Sequence, residues 1–174
     1  MKKESFLIPI VIIMFFSLWL TFDNKAMGAL RRDADAALEL TTIRKNLSVY
    51  SKMKPEDARD FYEEALNELQ VMIDMFAGTE EALEAAFYIG ATHNILGNFN
   101  EAIAYFDDVL SLQNEIDQNF KARLLYFKAQ ALIGTGNIDD AKDVITELRA
   151  IEPGAANAFG KELEIGRASC RERV

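Results

Sequence analysis

The chain divides into three stretches with different patterns of hydrophobic and polar positions. Residues 5–22 carry no charge, residues 26–53 repeat apolar side chains every three or four positions, and residues 54–163 alternate short apolar runs with polar turns. The first pattern is typical of a helix in hydrocarbon, and the other two are typical of helices packed on helices. The sequence therefore predicts an all-α protein.

The first stretch is long enough to cross a membrane. Its 18 residues would rise about 27 Å as a helix, close to a hydrocarbon core of roughly 30 Å. Lys2 and Lys3 precede it, which favours a cytoplasmic amino terminus. We expect an N-terminal membrane anchor at 1–22, spanning at 5–22, with the soluble part periplasmic or otherwise extracytoplasmic. The alternatives are a cleaved secretory signal, whose apolar part is normally shorter, and a buried core helix.

Residues 23–53 are predicted to form a helical connector. Its apolar side chains recur with a period of 3.5, as do seams between helices. These side chains are Ala36, Leu40, Ile43, Leu47 and Tyr50. Two heptads are fewer than a coiled coil usually needs, so we expect the stripe to cap the first repeat; a homodimer through the stripe is the open alternative.

The remaining sequence contains an internal repeat. Gly97-Asn98-Phe99-Asn100-Glu101-Ala102 recurs as Gly136-Asn137-Ile138-Asp139-Asp140-Ala141, at an offset of 39 residues. With Gly90 and Phe106 in the first copy and Ala129 and Pro153 in the second, the pattern resembles the tetratricopeptide repeat (TPR) family. The resemblance implies a solenoid of helical hairpins, each with a helix A and a helix B.

The predicted array spans 54–163. It comprises a partial repeat at 54–78 and full repeats at about 80–114 and 119–153. The small residues suggest a mechanical role: Gly90 is expected to let Ala102 approach closely, and Ala129 is expected to do the same for Ala141. Gly97 and Gly136 are expected to end the two A helices in the left-handed conformation.

The resemblance also implies a binding site, because helix A residues line a concave groove in TPR proteins. Carried over by position, the groove residues are Glu84, Phe87, Ala91, Asn94, Arg123, Tyr126, Gln130 and Ile133. The family's Lys and Asn clamp for a terminal carboxylate is missing, since Phe87, Ala91, Tyr126 and Gln130 occupy those positions. We expect a protein or peptide partner with an apolar or amphipathic segment. An equally good interpretation is that Phe87 and Tyr126 pack against the next helix and do not contact a partner.

Charge and chemistry narrow the function further. A net charge of −9 argues against a nucleic-acid partner, and one Cys and one His are too few for a Cys- or His-based metal site. No catalytic or phosphate-binding motif is present. The sequence therefore predicts neither an enzyme nor a cofactor or metal, and it assigns the single histidine, His93, to packing.

The last eleven residues resemble an artificial sequence. Residues 164–174, which contain the only cysteine, Cys170, read like a translated sequencing adapter. We therefore expect a non-native tail and an array truncated near Leu163. The predicted function is a membrane-anchored scaffold or adaptor, of the type found in bacterial envelope assembly, chaperone or secretion systems. The alternatives are a structural oligomerisation module and the N-terminal part of a larger protein whose functional domain was lost.

Overall fold

The computed structural model describes residues 7–112 and 116–159, with side chains from residue 27 onward except at positions 55 and 56. Within these ranges the chain consists of helices and turns without strands, which confirms the all-α prediction. The helices are α1 (Leu7–Tyr50), α2 (Pro55–Met75), α3 (Glu80–Leu96), α4 (Phe99–Ser111), α5 (Gln118–Thr135), α6 (Ile138–Ile151) and α7 (Pro153–Asn157).

Six of these helices form three consecutive hairpins. The pairs are α1–α2, α3–α4 and α5–α6; α2 and α4 also pack against the first helix of the next pair, and α6 packs against α7. We call α1, α3 and α5 the A helices and α2, α4 and α6 the B helices. The A helices contact one another, α1 with α3 and α3 with α5, so they form one side of the molecule, here called the A-helix face. This arrangement is a helical-hairpin solenoid.

Helix α1 is a single helix of 44 residues, whereas the sequence suggested an anchor followed by a separate connector. The predicted span at 5–22 lies outside the residues whose side chains are described. Across the described part of the chain, no helix combines the length and the apolar character needed to cross a membrane. The anchor therefore stays a prediction.

The second half of α1 packs on the following two helices. Ala36, Leu40 and Ile43 are 0–3% exposed and join Leu69 and Ile89 in one buried cluster. The Tyr50 ring meets the Tyr62 ring of α2 edge to face, with centroids 6.0 Å apart. The 3.5-residue stripe is thus covered within one chain, and its buried side chains are not available as a seam between two chains.

Helices α3 and α5 end in the same way. Gly97 and Gly136 have φ of 80° and 84°, a left-handed conformation that costs glycine little. At the first turn, the amide groups of Gly97 and Asn98 donate to the Asn94 and His93 carbonyls. The expected left-handed ends are confirmed, and they reverse the chain at equivalent points of the two hairpins.

One predicted contact differs. A Cβ on Gly90 would lie 2.6 Å from Phe106 Cε1, and the nearest atoms around this glycine all belong to the Phe106 ring. The expected close neighbour was Ala102. Gly90 therefore makes room for the large aromatic side chain of helix B, which lies one turn farther along α4 than the small residue.

Candidate partner-binding surface

The eight predicted groove residues lie on two neighbouring A helices. They are Glu84, Phe87, Ala91 and Asn94 on α3, and Arg123, Tyr126, Gln130 and Ile133 on α5. Phe87 and Ala91 are buried, at 2% and 8% exposure, while the other six are at least partly exposed. The structure therefore brings the set together, and it places two members beneath the surface.

Phe87 is the centre of an aromatic cluster between α3, α4 and α5. Its ring centroid lies 5.2 Å from that of Phe127, 5.9 Å from Phe120 and 6.2 Å from Phe106. The Arg123 guanidinium covers the ring at 4.5 Å from the centroid. Phe87 thus packs against the next helix and holds the repeats together. Its ring also positions Arg123 by a cation–π contact.

An ion-pair row crosses all three A helices. Arg123 Nη1 lies 3.1 Å from Glu84 Oε1, and Arg44 Nη1 lies 3.9 Å from Glu84 Oε2. Arg44 also lies over the Tyr88 ring, 5.9 Å from its centroid. The Glu84 side chain is only 24% exposed, whereas Arg44 and Arg123 are 52% and 43% exposed. The row therefore presents two oriented guanidinium groups around one shared carboxylate.

Arg44 is a candidate residue that the sequence reasoning missed. Glu84 and Arg123 each lie 12 residues before the end of their helix, whereas Arg44 lies only six before the end of α1, so the 39-residue period does not point to it. No helix A signature marks α1 either. The structure shows that the second half of α1 acts as helix A of the first hairpin.

The aromatic contact between hairpins is also repeated. The Tyr126 ring lies 4.8 Å from the Phe159 ring, and both residues follow Phe87 and Phe120 by 39 positions. Tyr126 is partly exposed, unlike Phe87. Gln130 Nε2 lies 3.5 Å from the hydroxyl oxygen of Tyr126. Tyr126 thus both packs on the following segment and reaches the A-helix face.

Asn94 links α3 to α5 by a hydrogen bond. Its Nδ2 donates to the Phe127 carbonyl at 2.9 Å. Its Oδ1 is buried and has no hydrogen-bond partner among the described residues. The half-satisfied amide aligns the two A helices and leaves an acceptor at the base of the surface.

Charge is unevenly distributed between the two sets of helices. The B helices carry 13 exposed carboxylates and three basic residues. The exposed carboxylates are Asp57, Asp60, Glu63, Glu64, Glu68, Asp74, Glu101, Asp107, Asp108, Asp139, Asp140, Asp143 and Glu147. The A helices from residue 27 onward carry six carboxylates against seven basic residues, which are Arg31, Arg32, Arg44, Lys45, Lys121, Arg123 and Lys128. The A-helix face is therefore the less negative side of an acidic chain.

A cavity of about 690 Å³ adjoins the row where α3 and α5 begin. Leu83, Phe120 and Leu112 supply apolar walls, and Glu84 and Arg123 supply the charged edge. Asp117, also at this cavity, accepts a hydrogen bond from the Phe120 amide and caps α5. The cavity can receive an apolar side chain beside a polar or charged group.

His93 lies away from this surface. Its ring stacks on Tyr105 of α4 with centroids 5.8 Å apart, so it packs within its own hairpin. Burial lowers the His93 pKa, and the nearby Glu101 carboxylate opposes that shift. Within the described ranges, no group of three or more His, Cys, Asp or Glu residues could hold a metal ion.

Comparison with known proteins agrees with the architecture. Residues 95–160 match a family model described as tetratricopeptide repeat. The match covers α4 to α7 and supports a TPR family for the chain. No curated protein matches the sequence significantly.

Proposed function

We propose that the protein is a membrane-attached TPR scaffold that holds a segment of a partner protein on its A-helix face. TPR repeats suggest protein–protein interaction in general. The observation that supports this face is the Arg44–Glu84–Arg123 row, since the exposed guanidinium groups are oriented before any partner arrives. Pre-oriented groups lose less entropy on binding.

The chemistry of the partner follows from the same row. Glu84 offsets one of the two positive charges, which leaves a local excess of one on the A-helix face. Next to it are the partly exposed rings of Tyr88 and Tyr126. The segment that fits carries apolar side chains and at least one carboxylate, because Arg binds carboxylates with two parallel hydrogen bonds.

Membrane attachment would give the scaffold a defined orientation. Helix α1 runs without a break from Leu7, and Arg32 Nη2 donates to the Ala77 carbonyl at 2.9 Å. If residues 5–22 span a bilayer, Arg32 and its contact with Ala77, just after the end of α2, lie about 15 Å beyond the span, at 1.5 Å per residue. The turns from B to A helices, and the cavity beside them, would then face the membrane.

Photo-crosslinking in cells of the source organism tests the binding face. A photoreactive residue at Ser48 or Gln130, both accessible on A helices, is expected to capture a partner, and one at Asp108 on α4 is not. Arg44→Gln with Arg123→Gln should reduce the adduct about tenfold, whereas Arg59→Gln with Arg149→Gln removes the same charge from B helices and should not. Equal loss in both double variants would reject the A-helix face.

The anchor is tested separately. The full chain should stay in the membrane fraction at alkaline pH, and a chain that lacks residues 1–24 should be released. The mass of the recovered protein decides between anchor and signal peptide, because cleavage after the apolar segment would remove more than 20 residues. A cleaved product would exclude attachment without affecting the binding face.

A further inference from the structure

The first hairpin has an open side that is covered in the later hairpins. Helix α2 packs against α3, and α4 packs against α5, so the α3–α4 and α5–α6 hairpins each receive a preceding B helix. Over the described ranges, no helix occupies the equivalent side of α1–α2. A groove of about 360 Å³ lies there, with Glu39, Thr42 and Asn46 on one wall and Glu68 and Val71 on the other.

The walls of this outer groove are two helical stripes. On α1, Asp35, Glu39, Thr42, Asn46 and Val49 are spaced by four and three residues; on α2, Phe61, Glu64, Glu68, Val71 and Met75 are spaced by three and four. Both spacings keep the side chains on one face of a helix. Because Tyr50 stacks on Phe61 at 5.1 Å while Arg32 meets Ala77, the helices are antiparallel and the stripes run alongside each other.

Apolar side chains remain exposed along the groove. Val49 is 53% exposed at one end with Phe61 at 40%, and Val71 and Met75 are 51% and 56% exposed towards the other end. The end of a repeat array needs a polar outer face to remain soluble. Large apolar groups aligned on such an end indicate a surface that another molecule covers.

The groove is also acidic. Asp35, Glu39, Glu64 and Glu68 form no ion pair with any residue that the structure describes, and neither stripe contains Lys or Arg. Burial chiefly, and then the charges of Glu68 and Glu64, raise the pKa of the neighbouring Tyr50. An occupant that brings positive charge would therefore meet carboxylates without having to displace existing partners.

We propose that the outer groove binds a basic amphipathic helix of a partner protein. A helix fits because B helices occupy the equivalent side of the later hairpins. Basic residues fit the four unpaired carboxylates, and apolar residues at intervals of three and four fit the exposed side chains of both stripes. A second copy of this chain fits poorly, since its exposed B helices are acidic. This surface is independent of the A-helix face.

The test uses the full chain in mild detergent and a fluorescent 18-residue peptide that places Leu at helical intervals of three and four and Lys elsewhere. Anisotropy should show binding, and a version with Glu for Lys should not bind. Glu39→Gln with Glu68→Gln should weaken binding about fivefold, as two lost ion pairs would. Asp108→Asn with Asp143→Asn removes the same charge from exposed sites on α4 and α6 and should leave affinity within about twofold.

The apolar contribution has its own control. Val71→Ser should weaken binding, while Ile95→Ser, at a residue 58% exposed on α3, should not. On peptide binding, hydrogen exchange should slow in residues 35–49 and 61–75. No binding, or equal loss in the groove and control variants, overturns the proposal. A dimer of the free chain that Glu39→Gln with Glu68→Gln dissociates also overturns it, in favour of a second copy.

Discussion

Gly90 and Phe106 are a complementary pair: the ring of Phe106 occupies the space where a Cβ on residue 90 would lie, 2.6 Å from Cε1. The next repeat has Ala129 and Ile145 at these positions, and both belong to one buried cluster. The smaller helix B side chain there accompanies a larger helix A residue. The first repeat therefore pairs the smaller helix A residue with the larger helix B side chain, and the second repeat pairs a larger helix A residue with a smaller helix B side chain.

This pair predicts a rescue within the protein. Gly90→Ala should lower the free energy of unfolding by about 1 kcal/mol, because overpacking a 0%-exposed ring outweighs the gain in helix propensity. Phe106→Ile alone should also destabilise. The double variant Gly90→Ala with Phe106→Ile copies the second repeat. Its free energy of unfolding should be about 1 kcal/mol higher than the sum of the two single losses predicts. Urea titration measures this, and simple additivity would contradict it.

Two leucines on α1 predict opposite effects of the same substitution. Leu40 is 3% exposed in the first buried cluster, whereas Leu38 is 70% exposed. Leu40→Ala should cost about 2–5 kcal/mol of unfolding free energy, and Leu38→Ala should change it by less than about 0.5 kcal/mol. Thermal and urea unfolding compare the two. Similar losses in both would mean that α1 packs by another face.

The shared carboxylate predicts coupling between repeats. Glu84→Gln and Arg123→Gln should each reduce stability slightly, and a double-mutant cycle should give a coupling of about 0.5 kcal/mol, since the Arg123 side chain is partly open to solvent. The coupling should shrink in 0.5 M salt because exposed ion pairs are screened. The Arg59–Glu63 pair, within one helix and more exposed, serves as the comparison and should show no larger coupling.

His93 predicts a loss of stability in mild acid. Its folded-state pKa is lowered, first by burial, so the folded protein favours the neutral ring. The stabilisation is fully present above the usual pKa of about 6.5 and is lost as pH falls from there through the folded-state pKa. His93→Gln should remove this part of the difference in unfolding free energy between pH 7.5 and 5.5. Glu101→Gln should enlarge it, because that carboxylate favours the protonated ring.

Local signals were sufficient for the repeat itself. The Gly-Asn pairs at 97 and 136 mark chain reversals that need a left-handed residue. Glycine meets that need, so such a helix end can be recognised from the sequence alone. Pro55 at the start of α2 is a similar signal. Local signals did not reveal that α1 continues through the connector to become the first A helix, because a lone helix carries no mark of the partners it will meet.

The candidate surface shows most clearly what the sequence pattern cannot predict. Helix α3 has buried residues on several sides, among them Ala85, Phe87 and Ile89, because neighbouring helices on both sides cover it. Periodicity cannot then tell which aromatic side chain faces solvent, so Phe87 and Tyr126 looked alike at equivalent positions. Phe87 is buried because Phe106 of α4 and the Phe120 and Phe127 rings of α5 pack around it.

The sequence by itself determined the all-helical class, the 39-residue period and the turns, since helix propensity, spacing and glycine conformation act over a few residues. The tertiary structure decided which residues from different helices come into contact. These are Gly90 with Phe106, Arg44 and Arg123 with Glu84, and the α1 stripe with α2 and α3. These contacts depend on the rotation of each helix within the stack, which a few ångströms of side-chain volume at its neighbours set.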